Sequence, residues 1–124
     1  MENNEIYHGI VGIRLGRLWF GKSLKDDVIG QPSYVEFNWE KVMDREEKRG
    51  DIIGFYHTHP HFIGSPSKID ISTMQSWVLS FGRSLICLIE GIDGLNAHWF
   101  IDDEQDYITK KVWRIGNVFY GMLP

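Results

Sequence analysis

Residues 52–60 read Ile52-Ile53-Gly54-Phe55-Tyr56-His57-Thr58-His59-Pro60. Aliphatic and aromatic residues of this kind suit a pleated, half-buried surface, so 52–59 is expected to form a strand. Pro60 ends it, having no N–H to give the ladder. His57 and His59 stand two apart, and on a strand such residues project from one face. Two imidazoles at the end of a buried strand are thereby aimed the same way.

Downstream, 61–68 reads as a loop around Gly64 and Pro66, followed by a helix from about Asp70 to Phe81 that stops at Gly82. Ile71, Met74, Val78 and Phe81 recur at helical spacing and are expected to face a core. Asp70, opening that helix, can cap it or turn its carboxylate back toward the strand end. The apolar run 84–90 predicts a buried strand. A turn at 91–94, a strand over 97–101, an acidic turn at 102–106 and one or two strands within 108–123 complete that side. Upstream, 6–20 predicts one strand, or two with a bend near Gly16, and 22–33 has loop chemistry. Asn38 is placed to cap a helix over 39–48, closed by Gly50, with Trp39, Val42 and Met43 on its apolar face. This alternation predicts an α/β (α+β) fold: one domain over 1–124 with a central sheet flanked by two helices.

Composition agrees. A chain of 124 residues with 43% hydrophobic and 14% aromatic residues can bury a core. Its net charge of −4, without a basic stripe, argues against a nucleic-acid partner. A single cysteine, Cys87, excludes an intrachain disulfide; in its apolar run it reads as a buried strand residue. The start Met1-Glu2-Asn3-Asn4-Glu5 has no secretory pattern and no run is long enough to span a membrane, so the expected setting is the cytoplasm, without membrane contact. Oligomeric state is not legible.

The chemistry lies in His57, His59 and Asp70. Two neutral imidazoles and one carboxylate suit Zn²⁺, and three protein ligands leave a fourth position to water, as catalytic zinc sites do. Zinc lowers the pKa of bound water to about 7 and polarises a carbonyl. Ser67, three residues before Asp70, can donate its hydroxyl to the oxyanion of a tetrahedral intermediate. An H-x-H pair alone is ordinary; with Pro60, Ser67 and Asp70 in register it is not.

These residues, H-x-H-P followed by S-x-x-D, resemble the motif of the JAMM (JAB/MPN/Mov34 metalloenzyme) zinc metalloproteases, also called MPN+ proteins. Residues 52–56 are similar to the strand that leads into that motif, and 71–77 to the helix that follows it. The resemblance implies a curved β-sheet flanked by helices, with zinc held at a sheet edge by His57, His59 and Asp70 and Ser67 as oxyanion donor. It implies deubiquitinase-like hydrolysis of amide bonds at the C-terminus of ubiquitin or a ubiquitin-like protein. The short chain, with 73–77 followed by 85–90, is similar to prokaryotic members, which often work beside ubiquitin-like modifiers and their activating and conjugating enzymes, including in antiphage defence. Members that lost the motif act as scaffolds. The alternatives are therefore a non-catalytic MPN-like interaction domain and a zinc amidohydrolase for a small substrate.

The family's general base is a glutamate just upstream of a glycine-bearing apolar strand, here matched by residues 5–12. The expected position holds Ile6; Glu5 is one residue early, a slip that on a regular strand reverses the side chain unless a bulge or a later strand start restores it. Glu5 is the candidate base, with Glu2, Glu36 and Glu40 as alternatives and a chain without a base as the remaining one. The strand and helix that precede this glutamate in the family have almost no counterpart here. His8 and His98 read as structural and His61 as a solvated loop residue. Trp77, Trp99 and Trp113 read as core or interface aromatics, and 102–106 as a solvated turn.

Overall fold

The structure, a computed structural model, describes residues 7–24 and 39–124. Chain order is β1 (Tyr7–Leu15), β2 (Leu18–Leu24), α1 (Trp39–Arg49), β3 (Ile52–Thr58), α2 (Lys68–Phe81), β4 (Leu85–Gly91), β5 (Gly94–Phe100), β6 (Tyr107–Lys110), β7 (Val112–Ile115) and β8 (Val118–Met122). The eight strands form one mixed sheet in the order β6-β5-β4-β3-β1-β2-β8-β7. Every pairing is antiparallel except β3 with β4. Parallel neighbours need a crossover, and α2 supplies it. The fold is α+β.

Two apolar clusters explain why both helices lie where they do. Along β4 the side chains alternate: Leu85, Cys87 and Ile89 enter one cluster, Ile86 and Leu88 the other. All five are at most 1% exposed, and each of the four leucines and isoleucines contributes about 1.5–3 kcal/mol by leaving water. The buried apolar residues of the helices, Val42, Met74, Trp77 and Val78, all belong to the first cluster. Both helices therefore pack against one face of the sheet. The other face closes on itself: Ile10 and Trp19 share a cluster with Trp99 and Phe119 to which no described helix contributes. Arg114 on β7 reaches Glu90 on β4 at 2.9 Å across this hollow, so the sheet curls almost into a barrel.

The tail holds three strands where one or two were expected. The segments are only four or five residues long, and Lys111 separates β6 from β7 where the chain passes from one edge of the sheet to the other. On α1, Val42 is buried while Met43 is 46% exposed, so the apolar face is narrower than the spacing suggested. Asn38, the expected cap, lies outside the described residues. Ile71, Met74, Val78 and Phe81 all pack into or against the first cluster as expected, Ile71 and Phe81 only half-buried, and Asp70 and Trp77 join the buried face. Trp113 is 46% exposed, unlike Trp77 and Trp99.

Candidate metal centre

The crossover β3–α2–β4 builds the site. β3 ends at Thr58, α2 begins at Lys68, and the chain between them must cross the carboxyl end of the parallel pair. In open sheets that end is where ligands collect, because a helix N-terminus arrives there. His57 sits on β3, His59 just beyond it, and Asp70 in the first turn of α2. They are 3%, 8% and 7% exposed. One ligand atom from each lies within 4.8 Å of the others, the one group of three or more such residues among those described.

The local geometry is over-determined. Ser67 is the N-cap of α2: its Oγ accepts from the Asp70 N–H at 3.1 Å, while Asp70 Oδ2 accepts from the Ser67 N–H at 2.9 Å. This reciprocal capping box fixes the carboxylate from its own helix. Asp70 is thus the third helical residue rather than the first; Ser67 is the cap. Asp70 Oδ2 lies 3.1 Å from His59 Nε2, and Oδ1 lies 3.4 Å from His57 Nε2. The two imidazoles meet edge to face with centroids 4.8 Å apart, and Tyr7 stacks on His57 at 4.7 Å.

The donor set tests whether a cation fits. His59 Nδ1 lies 2.9 Å from the Ile63 carbonyl oxygen, which can only accept, so Nδ1 carries the hydrogen. In the neutral ring Nε2 is then a bare lone pair facing a carboxylate lone pair. Such an arrangement requires a positive particle between them, either a proton or a metal ion, and a ring locked through its far nitrogen is how metal-binding histidines are oriented. The three residues fit a divalent metal.

The loop joining the ligands is pinned from below. His98 Nε2 donates to the Gly64 carbonyl at 2.6 Å and His98 Nδ1 meets the Thr109 hydroxyl at 2.9 Å. Burial, the main cause, lowers the pKa of His98 and favours the neutral ring; the bond to the Gly64 backbone, then Asp70 and Asp93, oppose the shift, and His59 adds to it. The Gly64 N–H donates to Asp93 Oδ1 at 2.8 Å. Gly64 and Gly91 touch backbone to backbone: a Cβ on Gly91 would overlap the Gly64 nitrogen, and one on Gly64 the Asn96 side chain. Neither position admits a larger residue without moving the loop.

Beside the ligands lies a cavity of about 200 Å³ whose walls include Phe55, Met74, Trp77 and Cys87. Cys87 is 1% exposed and burial raises its thiol far above the usual range, with the Asp70 charge adding to the effect; it is inert as a nucleophile at neutral pH. Four apolar side chains stand exposed near the ligands: Phe62 at 70%, Ile63 at 56%, Ile69 at 78% and Ile92 at 69%.

Of the sequence candidates, His57, His59 and Asp70 lie together, with Ser67 bonded to Asp70. Glu5, Glu2 and Glu36 lie outside the described residues. Glu40 is exposed on the first turn of α1. His8 faces away from His57 and stacks on Tyr56 at 6.2 Å. His61 is exposed, and His98 is buried and structural. Tyr7, the Ile63 carbonyl and the grip of His98 on Gly64 were not foreseen. Any residue offers a carbonyl, so only the loop path reveals Ile63; Tyr7 required the β1–β3 register, in which it pairs with His57.

The family model for prokaryotic homologs of the JAB domain matches residues 17–114. No curated protein matches the chain. No described helix is long and apolar enough to cross a membrane.

Proposed function

This chain belongs to the family of prokaryotic JAB-domain homologs, and from that membership we propose that it is a zinc-dependent isopeptidase or peptidase that hydrolyses the amide bond at the C-terminus of a ubiquitin-like protein. The family and the cluster of His57, His59 and Asp70 support a JAMM-type metallopeptidase in general. The observation that carries the proposal is the convergence of those three side chains at a helix N-terminus, with one imidazole already locked through Ile63. Zinc is the metal that two imidazoles and one carboxylate favour. When bound, it supplies Lewis acidity and brings the pKa of water to about 7.

The chain's own residues do the rest. Asp70 keeps its carboxylate aimed by the capping box, so no reorganisation is needed on reaction. The Ser67 hydroxyl accepts from Asp70 N–H and retains its own hydrogen, which it donates to the oxyanion developing on the substrate carbonyl. Glu5 takes a proton from the attacking water and returns it to the leaving amine. Its support is sequence distance: it precedes Tyr7 by two residues, and Tyr7 pairs with His57. Phe62, Ile63, Ile69 and Ile92 give the site an apolar margin that suits a folded protein substrate better than a small polar one. The apolar walls of the adjoining cavity lower the local dielectric and strengthen these contacts.

The test is cleavage of a ubiquitin-like fusion by wild type, Glu5→Ala and His57→Ala, in parallel with metal analysis. His57→Ala is expected to lose metal and activity together. Glu5→Ala is expected to keep its metal and lose about 10²-fold or more in rate. Full activity in Glu5→Ala removes that residue from the mechanism, and hydrolysis by wild type without bound metal removes the mechanism.

A further inference from the structure

The half of the sheet away from the helices presents an apolar face that nothing in the chain's described part covers. Ile13 on β1 pairs with Phe20 on β2, Phe20 with Tyr120 on β8, and Tyr120 with Trp113 on β7. Paired residues share a face, so these four side chains form one row across four strands. The rings confirm it: Phe20 stacks on Tyr120 at 6.1 Å and Tyr120 on Trp113 at 5.8 Å. A second row, Leu15, Leu18 and Met122, runs beside the first, and Ile115 pairs with Val118 on its other side. The opposite face of the same strands is the interior, where Trp19, Val112 and Phe119 lie. The rows therefore look outward.

Ile13 and Leu15 are each 60% exposed, Ile115 68%, Trp113 46%, Met122 42% and Leu18 38%. Together they leave roughly 600–700 Å² of apolar surface in water, at or above the largest patch of an ordinary monomer. One side of a standard stable interface is about 800 Å², which the half-exposed parts of Phe20, Tyr120 and Val118 nearly complete. The rows themselves are uncharged; at one margin exposed Lys22 and the paired Arg45 and Asp51 line a hollow with Ile13, Phe20 and Val118. Rigid aromatics at the centre of an uncharged patch are the composition of an interface core. A four-stranded face packs well on another sheet at about 10 Å spacing, and a twofold axis makes one such face complementary to itself. α2 packs over the other half of the sheet, and α1 borders the face only at the margin where Arg45 lines the hollow with Ile13, Phe20 and Val118.

We propose that this face, formed by β1, β2, β8 and β7, is the contact between two copies of the chain, which associate sheet to sheet as a twofold dimer. The inference does not depend on the metal centre. The test is the mass of the full chain by sedimentation or light scattering at about 50 µM, where an interface with micromolar affinity is mostly formed. Wild type is expected to have the mass of two chains. Leu15→Lys with Ile115→Lys is expected to halve that mass while circular dichroism stays unchanged. Ile115→Lys alone, at the most exposed position of the face, is expected to weaken association at least about tenfold. A wild type with the mass of one chain overturns the proposal, including one that binds a different protein or a vesicle through this face. So does a two-chain mass that survives both variants.

Discussion

His98 holds the carbonyl of Gly64 at 2.6 Å, and through that one bond a histidine outside the metal cluster governs the loop that separates two of its members. Gly64 adjoins Ile63, whose carbonyl orients His59. Replacing His98 with leucine leaves the Gly64 carbonyl and the Thr109 hydroxyl without their partner and lets the loop shift. Metal affinity, measured by competition with a chromophoric chelator, is expected to fall about 10- to 100-fold, the range for residues that orient ligands. His98→Gln, which keeps a donor, is expected to fall less.

The same residue gives stability a pH dependence with a definite sign. Burial lowers the pKa of folded His98 from its ordinary 6.5. Below 6.5 the unfolded chain binds a proton that the folded chain refuses, so unfolding gains. The contribution is complete above 6.5 and shrinks as pH falls toward the folded value. Urea melts of metal-free protein are expected to show wild type losing stability below pH 6.5 faster than His98→Gln. Equal slopes would show that His98 is not kept neutral by the fold.

Metal removal should cost stability without unfolding the chain. The ligands sit on β3 and α2, whose places are held independently by the apolar cluster around Phe55, Trp77 and Cys87. A chelator is expected to abolish hydrolysis and to lower the melting temperature, by an amount equivalent to about 2.7 kcal/mol if the ion was present at 100 times its dissociation constant. Circular dichroism at 25 °C is expected to stay native. Collapse of the spectrum would mean that the metal, rather than the core, organises the crossover.

Much of this was legible in the sequence because periodicity and motif reported the same elements. The period-two step from His57 to His59, Pro60 as terminator and the spacing to Asp70 sufficed to place the cluster. The apolar run of β4 was legible because both its faces are buried. What sequence could not supply was pairing. The curl that brings Arg114 to Glu90, the packing of both helices on one face, and the stack of Tyr7 on His57 depend on which strands become neighbours, and no local pattern encodes that. The division of the tail into three strands failed for a related reason: segments of four or five residues carry too few alternations to be separated. Glu5 stays an inference from sequence, one residue off the expected position.

Phe62 and Ile69 provide a separate test of how substrate is met. Both are exposed and neither belongs to the metal cluster. If they touch substrate equally in the ground and transition states, polar replacements weaken binding without slowing chemistry. Phe62→Ser and Ile69→Ser are each expected to raise KM about 3- to 10-fold on a ubiquitin-like fusion, with kcat unchanged, and to leave cleavage of a short peptide alone. A fall in kcat at constant KM would assign the loop to positioning the ligands rather than to docking.

Ser67 combines two duties that one substitution can separate. Its Oγ caps α2 through the Asp70 N–H, and the proposed chemistry also uses its hydroxyl hydrogen. Ser67→Ala removes both, and is expected to lose about 1 kcal/mol of stability as well as activity. Asparagine caps helices as well as serine does but places no hydroxyl there. Ser67→Asn is therefore expected to melt within a few degrees of wild type while kcat falls about 10²- to 10³-fold, the cost of one missing oxyanion donor. Ser67→Thr, which keeps both groups, is expected to recover most of the rate. Were Ser67→Asn fully active, the hydroxyl would serve the helix alone, and the oxyanion would need another donor.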